Sequence, residues 1–235
     1  MRTWTTTGGC RVTQVLGGRS NVFLLSYGGR NILVDTGRKK FRAELARRLQ
    51  KLDLALLDAL VLTHTHFDHA ENAAFIREKY NAKVIVHQSE AGFLERGTSP
   101  LPKGAVALTK LVVALFAKRM EPTLDYEPCS PDLLVENGLD LSDFGFAARL
   151  LHTPGHSRGS ISVIVDNEMA LVGDLMYGAF PRTIFPPYAD DIPQMVSSWG
   201  RLLGTPCSLF MPGHGSPRDR KQVQKAYAGR IRVSS

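Results

Sequence analysis

Cysteine and long apolar runs are what this 235-residue chain has least of. Its three cysteines, Cys10, Cys129 and Cys207, are far apart and form no Cys-x-x-Cys pair. An odd number of isolated cysteines indicates free thiols in a reducing compartment, and no catalytic cysteine is indicated. Residues 1–9 lack the apolar core of a signal peptide, and no window approaches the ~20 apolar residues that span a bilayer. We therefore expect a cytoplasmic protein with no membrane partner.

Acidic residues are also in deficit, because 22 aspartates and glutamates face 29 lysines and arginines and leave a net charge of +7. Such an excess would permit binding to nucleic acid. The basic residues gather in two stretches, 38–51 and 218–232. Both are interpreted as solvated helix faces, because each holds a single aromatic residue, Phe41 or Tyr227, rather than the interleaved aromatic residues that stack on bases. We therefore expect no nucleic-acid partner.

Histidine, by contrast, is concentrated in a pattern. Five of the seven histidines and two aspartates occur in four short segments, each placed after a β-like run where the chain leaves a sheet. The seven residues are His64, His66, Asp68, His69, His156, Asp174 and His214. Imidazole and carboxylate groups without cysteine suit Zn²⁺, Fe or Mn rather than a closed structural zinc site. The sequence therefore predicts a two-metal site.

Spacing within the first segment, His-Thr-His-Phe-Asp-His over residues 64–69, supports two metal positions. The apolar run 56–62 reads as an extended strand, so His64 and His66 leave it two residues apart and face the same side. Asp68 and His69 then begin the next helix, which carries them round to a second position. Two adjacent metal ions are the expected result.

This set of motifs resembles that of the metallo-β-lactamase superfamily of binuclear hydrolases, and the resemblance extends from Asp35 to His214. The order of strands and helices alone predicts only an α/β protein. The resemblance implies more, namely an αβ/βα sandwich in which two mixed sheets lie face to face with helices outside and metals at one edge.

The same resemblance implies a ligand set for each metal. One metal would be held by three histidines and the other by an aspartate and two histidines, namely His64, His66 and His156 for the first and Asp68, His69 and His214 for the second. Asp174 would bridge the two metals. Asp35 would support the site from outside the ligands, although by itself it is an ordinary turn residue at the end of a strand.

The chemistry expected of such a site is hydrolysis. Two divalent cations, zinc first and iron or manganese as alternatives, lower the pKa of a shared water toward neutrality. We expect the resulting metal-bridging hydroxide to attack an ester, lactone or thioester bond of a small molecule, while Asp68 holds and passes on its proton. The lactonase branch of the superfamily places a tyrosine three residues after the bridging aspartate, at the ester carbonyl, and Tyr177 has that spacing.

Other reactions stay open. Persulfide dioxygenases of the superfamily bind iron through the counterparts of His64, His156 and Asp174, a set of two histidines and one carboxylate. A phosphodiesterase or ribonuclease is a further alternative, although neither a second domain nor an RNA-binding arm is visible. Thioesterases of the glyoxalase II type share the ligands but carry a long helical domain after the last histidine, where only residues 215–235 follow here.

The predicted ligands span residues 64–214, so we expect a single domain over 1–235. A helical insertion is predicted at about 97–125, in which residues 105–118 are apolar on almost every side. A helix of that kind must be covered, and it is interpreted as a core helix, an active-site wall or the contact of a homodimer. The segment 177–188, which carries four aromatic residues and is called the aromatic loop below, is interpreted as a substrate wall.

Overall fold

The computed structural model describes residues 1–54, 56–120, 124–181 and 183–234, and all of their side chains except those of 116–120 and 232–234. Its first sheet has seven strands that lie side by side in chain order. They are β1 (Arg2–Thr5), β2 (Arg11–Leu16), β3 (Val22–Tyr27), β4 (Arg30–Val34), β5 (Ala59–Val61), β6 (Lys83–His87) and β7 (Leu133–Val135). The strands β1 to β4 pair antiparallel, whereas β4 to β7 pair parallel.

The second sheet has six strands and is built from the rest of the chain. They are β8 (Gly138–Asp140), β9 (Ala148–His152), β10 (Ile161–Val165), β11 (Met169–Gly173), β12 (Leu209–Pro212) and β13 (Arg218–Asp219). Their spatial order is β13-β12-β11-β10-β9-β8, and β11 and β12 form its parallel pair. Each sheet thus comes from one continuous half of the sequence.

Seven α-helices accompany the sheets within the described residues. They are α1 (Arg42–Gln50), α2 (Phe67–Ala70), α3 (Ala73–Tyr80), α4 (Gln88–Arg96), α5 (Ala107–Met120), α6 (Ile192–Leu203) and α7 (Arg220–Ser234). Two of them begin with side-chain caps: Nδ1 of His87 accepts from the backbone N–H of Ser89 in α4, and the Asp191 carboxylate accepts from that of Gln194 in α6. Such caps satisfy backbone donors that have no partner within the helix.

Alternation along the strands sets the layers. On β4, Ile32 packs into the core between the two sheets, whereas the next residue, Leu33, packs with Leu45 of α1 on the outer side. On β10, Val163 belongs to the core between the sheets and Ile164 packs toward α6. Successive side chains of a strand point to opposite faces. The layers are therefore helix, sheet, sheet, helix, which confirms the predicted αβ/βα sandwich.

Element boundaries follow the sequence pattern where the apolar residues are dense. The sequence predicts strands at 11–16 and 83–87, a helix at 70–80 and a helix near 192–203. The two strands and the helix at 192–203 have these bounds in the structure. The short strands β1, β7, β8 and β13 were not predicted, because two to four residues carry too little alternation to read. The helix predicted at 70–80 is broken into α2 and α3, where the Asn72 side chain donates to the carbonyls of Thr36 and Gly37.

The apolar helix α5 departs most from expectation. No residue of its described part, 107–115, is buried, and Leu108, Leu111 and Leu115 are 70%, 56% and 67% exposed. The interpretation as a core helix is therefore wrong for these residues. Separately, no helix among the described residues combines the length and apolar character needed to cross a bilayer. The three cysteines are buried and unpaired, as predicted.

Candidate metal centre

The seven predicted ligands follow strand ends of both sheets and meet at one edge. His64 comes three residues after β5, and His156 comes four residues after β9. Asp174 directly follows β11, and His214 lies two residues beyond β12. The first sheet thus provides the His-x-His-x-Asp-His segment, and the second provides the three single residues.

Three histidines form the first cluster, and their rings stand edge to face. The ring centroid of His64 lies 4.6 Å from that of His66 and 4.7 Å from that of His156. Nδ1 of His66 lies 2.9 Å from Nε2 of His156. One ring nitrogen from each residue can therefore contribute to a common point, since all three lie within 4.8 Å of one another. This is the grouping expected for the first metal.

Asp68, His69 and His214 form the second cluster, and their ligand atoms also lie within 4.8 Å of one another. Nε2 of His214 lies 3.2 Å from Oδ2 of Asp68. Asp174 stands between the clusters: its Oδ1 is 3.3 Å from Nε2 of His69, and its Oδ2 is 3.2 Å from Nε2 of His214 and 3.8 Å from Nε2 of His156. Asp174 thus has the position expected of a bridging ligand.

Backbone at His214 is adapted to the same close approach. A Cβ on Gly213 would come within 2.4 Å of Oδ1 of Asp174 and 2.6 Å of the His69 ring. Both distances are shorter than real Cβ contacts allow. Glycine is needed there because any side chain would displace two of the predicted ligands.

Unpaired polar atoms test whether these residues fit a metal. Nε2 of His64, Nε2 of His69 and Oδ1 of Asp174 are buried and have no hydrogen-bond partner among the described residues. Buried polar groups are nearly always paired, since leaving one without a partner costs about 1–3 kcal/mol. All three atoms face the clusters, and imidazole with carboxylate is a donor set for divalent cations. The residues fit a divalent metal centre.

Electrostatics differ between the two clusters. Burial lowers the pKa of His64 well below its ordinary value and that of His66 to about 3, and the neighbouring imidazoles add to this. Burial acts in the same sense on His69 and His214, but the carboxylates outweigh it, Asp174 first among them. They raise the pKa of His69 well above its usual range and that of His214 to about 12. The cationic form is thus disfavoured at His64 and His66, whereas the carboxylates of the second cluster favour it at His69 and His214.

Hydrogen bonds on the side away from the clusters fix the tautomers of three predicted histidine ligands. Nδ1 of His69 is 2.9 Å from Oδ2 of Asp35, and Nδ1 of His156 is 3.0 Å from the carbonyl of Tyr188. Nδ1 of His214 donates to the carbonyl of Arg19. Each contact turns Nε2 toward the cluster, the arrangement by which proteins orient metal-binding imidazoles. Asp35 therefore has the supporting position that the resemblance implied.

Glu90 of α4 was missed by sequence reasoning, although it lies behind the first cluster. It is 2% exposed, and its carboxylate accepts from the backbone N–H of Thr65 at 3.0 Å and from the Thr65 hydroxyl at 2.5 Å. Its other oxygen accepts from the N–H of Gly159 at 3.1 Å. Tyr126 donates to the carbonyl of Thr65 at 3.1 Å. Glu90 thus joins the loop of His64 and His66 to the loop that follows His156.

Open space above the clusters is small. A cavity of about 190 Å³ is lined by five predicted ligands, His66, Asp68, His156, Asp174 and His214, and by apolar and aromatic side chains including Tyr177 and Tyr188. The Tyr177 ring lies 5.3 Å from that of His214. None of the described side chains of α5 lines this cavity; besides the predicted ligands, its lining comes from the aromatic loop and from Phe67 and Pro102.

The two remaining histidines lie apart from the clusters and have structural partners. His87 is buried, Nε2 donates to the carbonyl of Glu136 at 2.8 Å, and Nδ1 caps α4. His152 stacks on it with ring centroids 4.0 Å apart and donates to the carbonyl of Arg158 at 2.9 Å. Both therefore have packing and hydrogen-bonding partners outside the metal centre.

The fold and the buried histidine and aspartate clusters at its edge define a metal-dependent hydrolase. The family described as the metallo-beta-lactamase superfamily matches residues 15–214. The chain belongs to the metallo-beta-lactamase superfamily and is an enzyme.

Relatives of known name agree with that placement. A probable metallo-hydrolase of Methanocaldococcus jannaschii is 29% identical over 206 residues, which are 86% of this chain and 90% of the relative. The hydroxyacylglutathione hydrolase GloC of Haemophilus influenzae is 28% identical over 190 residues, 78% of this chain and 79% of the relative. The solved structure of the BLEG-1 B3 metallo-beta-lactamase superposes with a TM-score of 0.70 at 23% identity, over 91% of this chain and 96% of the other, which supports the fold alone.

Proposed function

We propose that this chain is a binuclear metallohydrolase, zinc-dependent, that cleaves ester or thioester bonds, lactones included, in a small molecule. The observation that supports this best is the position of Asp174 between two ligand clusters, with three buried atoms left without a hydrogen-bond partner. His64, His66 and His156 would hold one cation, and Asp68, His69 and His214 the other. When bound, the two cations would supply Lewis acidity and a nucleophilic water near neutral pH.

The chain's own residues would do the rest of the chemistry. Asp68 is the predicted ligand with the most exposed side chain, at 20%, and it lines the cavity, so its carboxylate can hold the proton removed from water. Tyr177 has its hydroxyl at the same cavity and can donate to the carbonyl oxygen as charge develops there. Pro102, Pro186 and Pro187 narrow the cavity, which limits the water that reaches the reacting bond.

Thioesters have support equal to lactones within this proposal. One relative is named hydroxyacylglutathione hydrolase, and another, 23% identical over 222 residues, is named atrochrysone carboxyl ACP thioesterase, of Aspergillus fumigatus. The first aligns with this chain over 79% of its own length, so the sequence argument from a missing helical domain does not separate the chain from thioesterases. The dioxygenase alternative has less support, because His64, His156 and Asp174 do not form one of the ligand groups found among the described residues; the group of two histidines and one carboxylate found there joins His64 and Asp174 to His69 instead.

The experiment is elemental analysis joined to a substrate panel. Protein purified without chelator is expected to hold about two zinc ions per chain and to hydrolyse a thioester or lactone. Asp174→Ala is expected to lose both metal and activity, whereas Asp219→Ala, an exposed aspartate outside the clusters, is expected to keep both. One iron per chain with oxygen consumption on a persulfide would support the dioxygenase instead, and cleavage of phosphodiesters alone would support the nuclease alternative.

A further inference from the structure

A second cavity, about 740 Å³, lies between the aromatic loop and α7. The described lining residues of this cavity and of the cavity at the metal centre are all different. Both sets nevertheless include residues of the aromatic loop. Thr183, Ile184 and Phe185 line the larger cavity, whereas Tyr177 and Tyr188 line the smaller one. The volume falls within the roughly 300–1,000 Å³ typical of small-molecule sites.

Arg218 is a buried cation that lines this cavity. It is 6% exposed, and its Nη2 donates to the carbonyl of Phe180 at 2.6 Å. Among the described residues, no carboxylate lies within 4.0 Å of its guanidinium. An arginine keeps its charge in a protein, and a buried charge without an opposite partner is costly. The guanidinium therefore lacks the counter-charge that its burial calls for.

Two further cations from α7 line the same cavity. Lys225 and Arg230 are exposed residues of this helix, and the Arg230 guanidinium lies 3.9 Å above the ring of Phe185. No aspartate or glutamate is among the lining residues that the structure describes. Concave sites lined by one sign of charge concentrate the field and raise the local concentration of counter-ions. The cavity is therefore a basic site with an aromatic side chain on its wall.

This geometry alters one premise drawn from the sequence. The basic stretch 218–232 was interpreted as a solvated face because aromatic residues are not interleaved with its cations in the sequence. Three of its cations, Arg218, Lys225 and Arg230, instead line a cavity together with Phe185 and Trp199. The aromatic residues come from other parts of the chain, so the sequence pattern does not show them.

We propose that this cavity, called the basic cavity below, binds the phosphate groups of a small molecule, of the size of a nucleoside diphosphate. Guanidinium and ammonium groups are the side chains that recognise phosphate, the former by paired hydrogen bonds. A concave site of this volume with three cations on its wall suits a compact ligand better than a polymer, which needs a track of charges. The proposal is independent of which bond the metal centre cleaves.

Two contacts connect the basic cavity to the metal centre. Arg218 lies four residues after His214, and its acceptor Phe180 lies three residues after Tyr177. The backbone N–H of Gly178 donates to the carbonyl of His214 at 2.7 Å. A ligand that pairs with Arg218 would thus hold the same loop that carries Tyr177. Its phosphate could belong to the carrier part of a substrate or to a separate effector.

Binding is tested on the full metal-loaded chain by calorimetry with ADP and with pyrophosphate, using adenosine as the uncharged comparison. ADP and pyrophosphate are expected to bind and adenosine not to bind. Lys225→Gln is expected to weaken ADP binding roughly tenfold, the usual effect of removing one charge-assisted contact. Lys221→Gln is the matched control, because it removes the same charge from an exposed site on α7 that does not line the basic cavity.

Phosphates also bind metal ions, so the experiment must show whether ADP binds at the basic cavity or at the metal centre. Asp174→Ala is expected to leave ADP binding unchanged, and loss of ADP binding in this variant would place the phosphates at the metal centre and overturn the proposal. Equal weakening by Lys225→Gln and Lys221→Gln would show non-specific attraction and overturn it too. So would tight binding of single-stranded RNA that pyrophosphate does not displace, which would assign the charges to a nucleic-acid surface.

Once binding is shown, a further experiment decides whether the phosphate belongs to a substrate or to an effector. If the phosphate belongs to the substrate, Lys225→Gln should raise KM for an acyl-CoA but leave KM for the corresponding acyl-pantetheine, which lacks the phosphates, unchanged. If it belongs to an effector, ADP should change turnover of the acyl-pantetheine in the unmodified protein and to a smaller extent in Lys225→Gln. Both results support the basic cavity as a phosphate site.

Discussion

Nδ1 of His69 lies 2.9 Å from Oδ2 of Asp35, and both side chains are buried. The other Asp35 oxygen accepts from the backbone N–H of Thr63 at 2.8 Å. Asp35 has a φ of 61°, in the left-handed region that aspartate and asparagine tolerate better than most residues. The turn after β4 is thus shaped so that one carboxylate holds both the strand that leads to the ligands and one of the ligands.

Asp35→Asn should weaken metal binding. An amide can present one acceptor, so it cannot hold both Thr63 and His69 as the carboxylate does. Loss of a hydrogen bond behind a ligand typically lowers metal affinity by ~10–100-fold. The measurement is metal retention against a chelator of known affinity. Asp53→Asn is the matched control, because Asp53 is an exposed aspartate that also has a left-handed φ, 52°; equal loss in both variants would contradict the role of Asp35.

Glu90→Gln should loosen the first cluster more than the second. Glutamine keeps one acceptor where Glu90 has three donors to satisfy, two on Thr65 and one on Gly159. We expect the affinity of the first metal to fall about tenfold, by analogy with other supporting residues. Stepwise metal release, followed with a spectroscopically visible ion such as Co²⁺, checks this. Glu95→Gln on the exposed side of α4 is the control, and equal loss from both clusters would rule the idea out.

Tyr177→Phe should lower kcat and leave the metal content as it is. Removing a donor to a developing oxyanion costs ~10²–10³ in kcat where it acts alone, and a metal that shares the task should reduce this to about tenfold. Steady-state kinetics on the active ester or thioester are the measurement. Tyr27→Phe, an exposed tyrosine elsewhere, is expected to have no effect. An unchanged kcat in Tyr177→Phe would remove the lactonase-like role.

Metal uptake by the second cluster should release protons at pH 7. Carboxylates raise the pKa values of His69 and His214 above neutrality in the protein alone, so both imidazoles carry protons that a metal must displace. Metal affinity should therefore rise as the pH rises, because fewer protons compete. Calorimetry in two buffers of different ionisation enthalpy counts the protons, and we expect up to two per chain. Uptake with no proton release would mean that both histidines are neutral.

Leu111→Asp should shift the protein from dimer to monomer. The exposed leucines of α5 form an apolar face, and exposed apolar patches of this kind mark contact surfaces. The described side chains of α5 neither belong to the core nor line the metal cavity. Of the three interpretations of this helix, the contact of a homodimer therefore remains as a prediction. Light scattering after size exclusion gives the mass. Leu56→Asp changes a leucine that is 64% exposed elsewhere and should leave the mass unchanged; a monomer before mutation would exclude the contact.

The ligands could be read from the sequence because they follow dense apolar strands and are spaced by strand and helix geometry. The supporting role of Asp35 was implied only by the resemblance to the superfamily, because by itself it is an ordinary turn residue at the end of a strand. Glu90 and Tyr126 could not be found in this way. Glu90 accepts from Thr65 and Gly159 and Tyr126 donates to Thr65, all more than twenty residues away, and no spacing rule links them. The exposure of α5 was also out of reach. An apolar sequence indicates that a helix packs against another surface, but not whether that surface belongs to the same chain.

The division of the two sheets at residues 136–137 has a consequence for how the protein holds together. Four of the predicted ligands come from the half before this point and three from the half after it. A metal bound by both halves acts as a cross-link across the interior, although no disulfide joins them among the described residues. Free metal at 100 times its dissociation constant would stabilise the assembled state by about 2.7 kcal/mol. Chelation should then expose the boundary between the halves, which makes proteolysis near 136–137 a gauge of how tightly the cations are held.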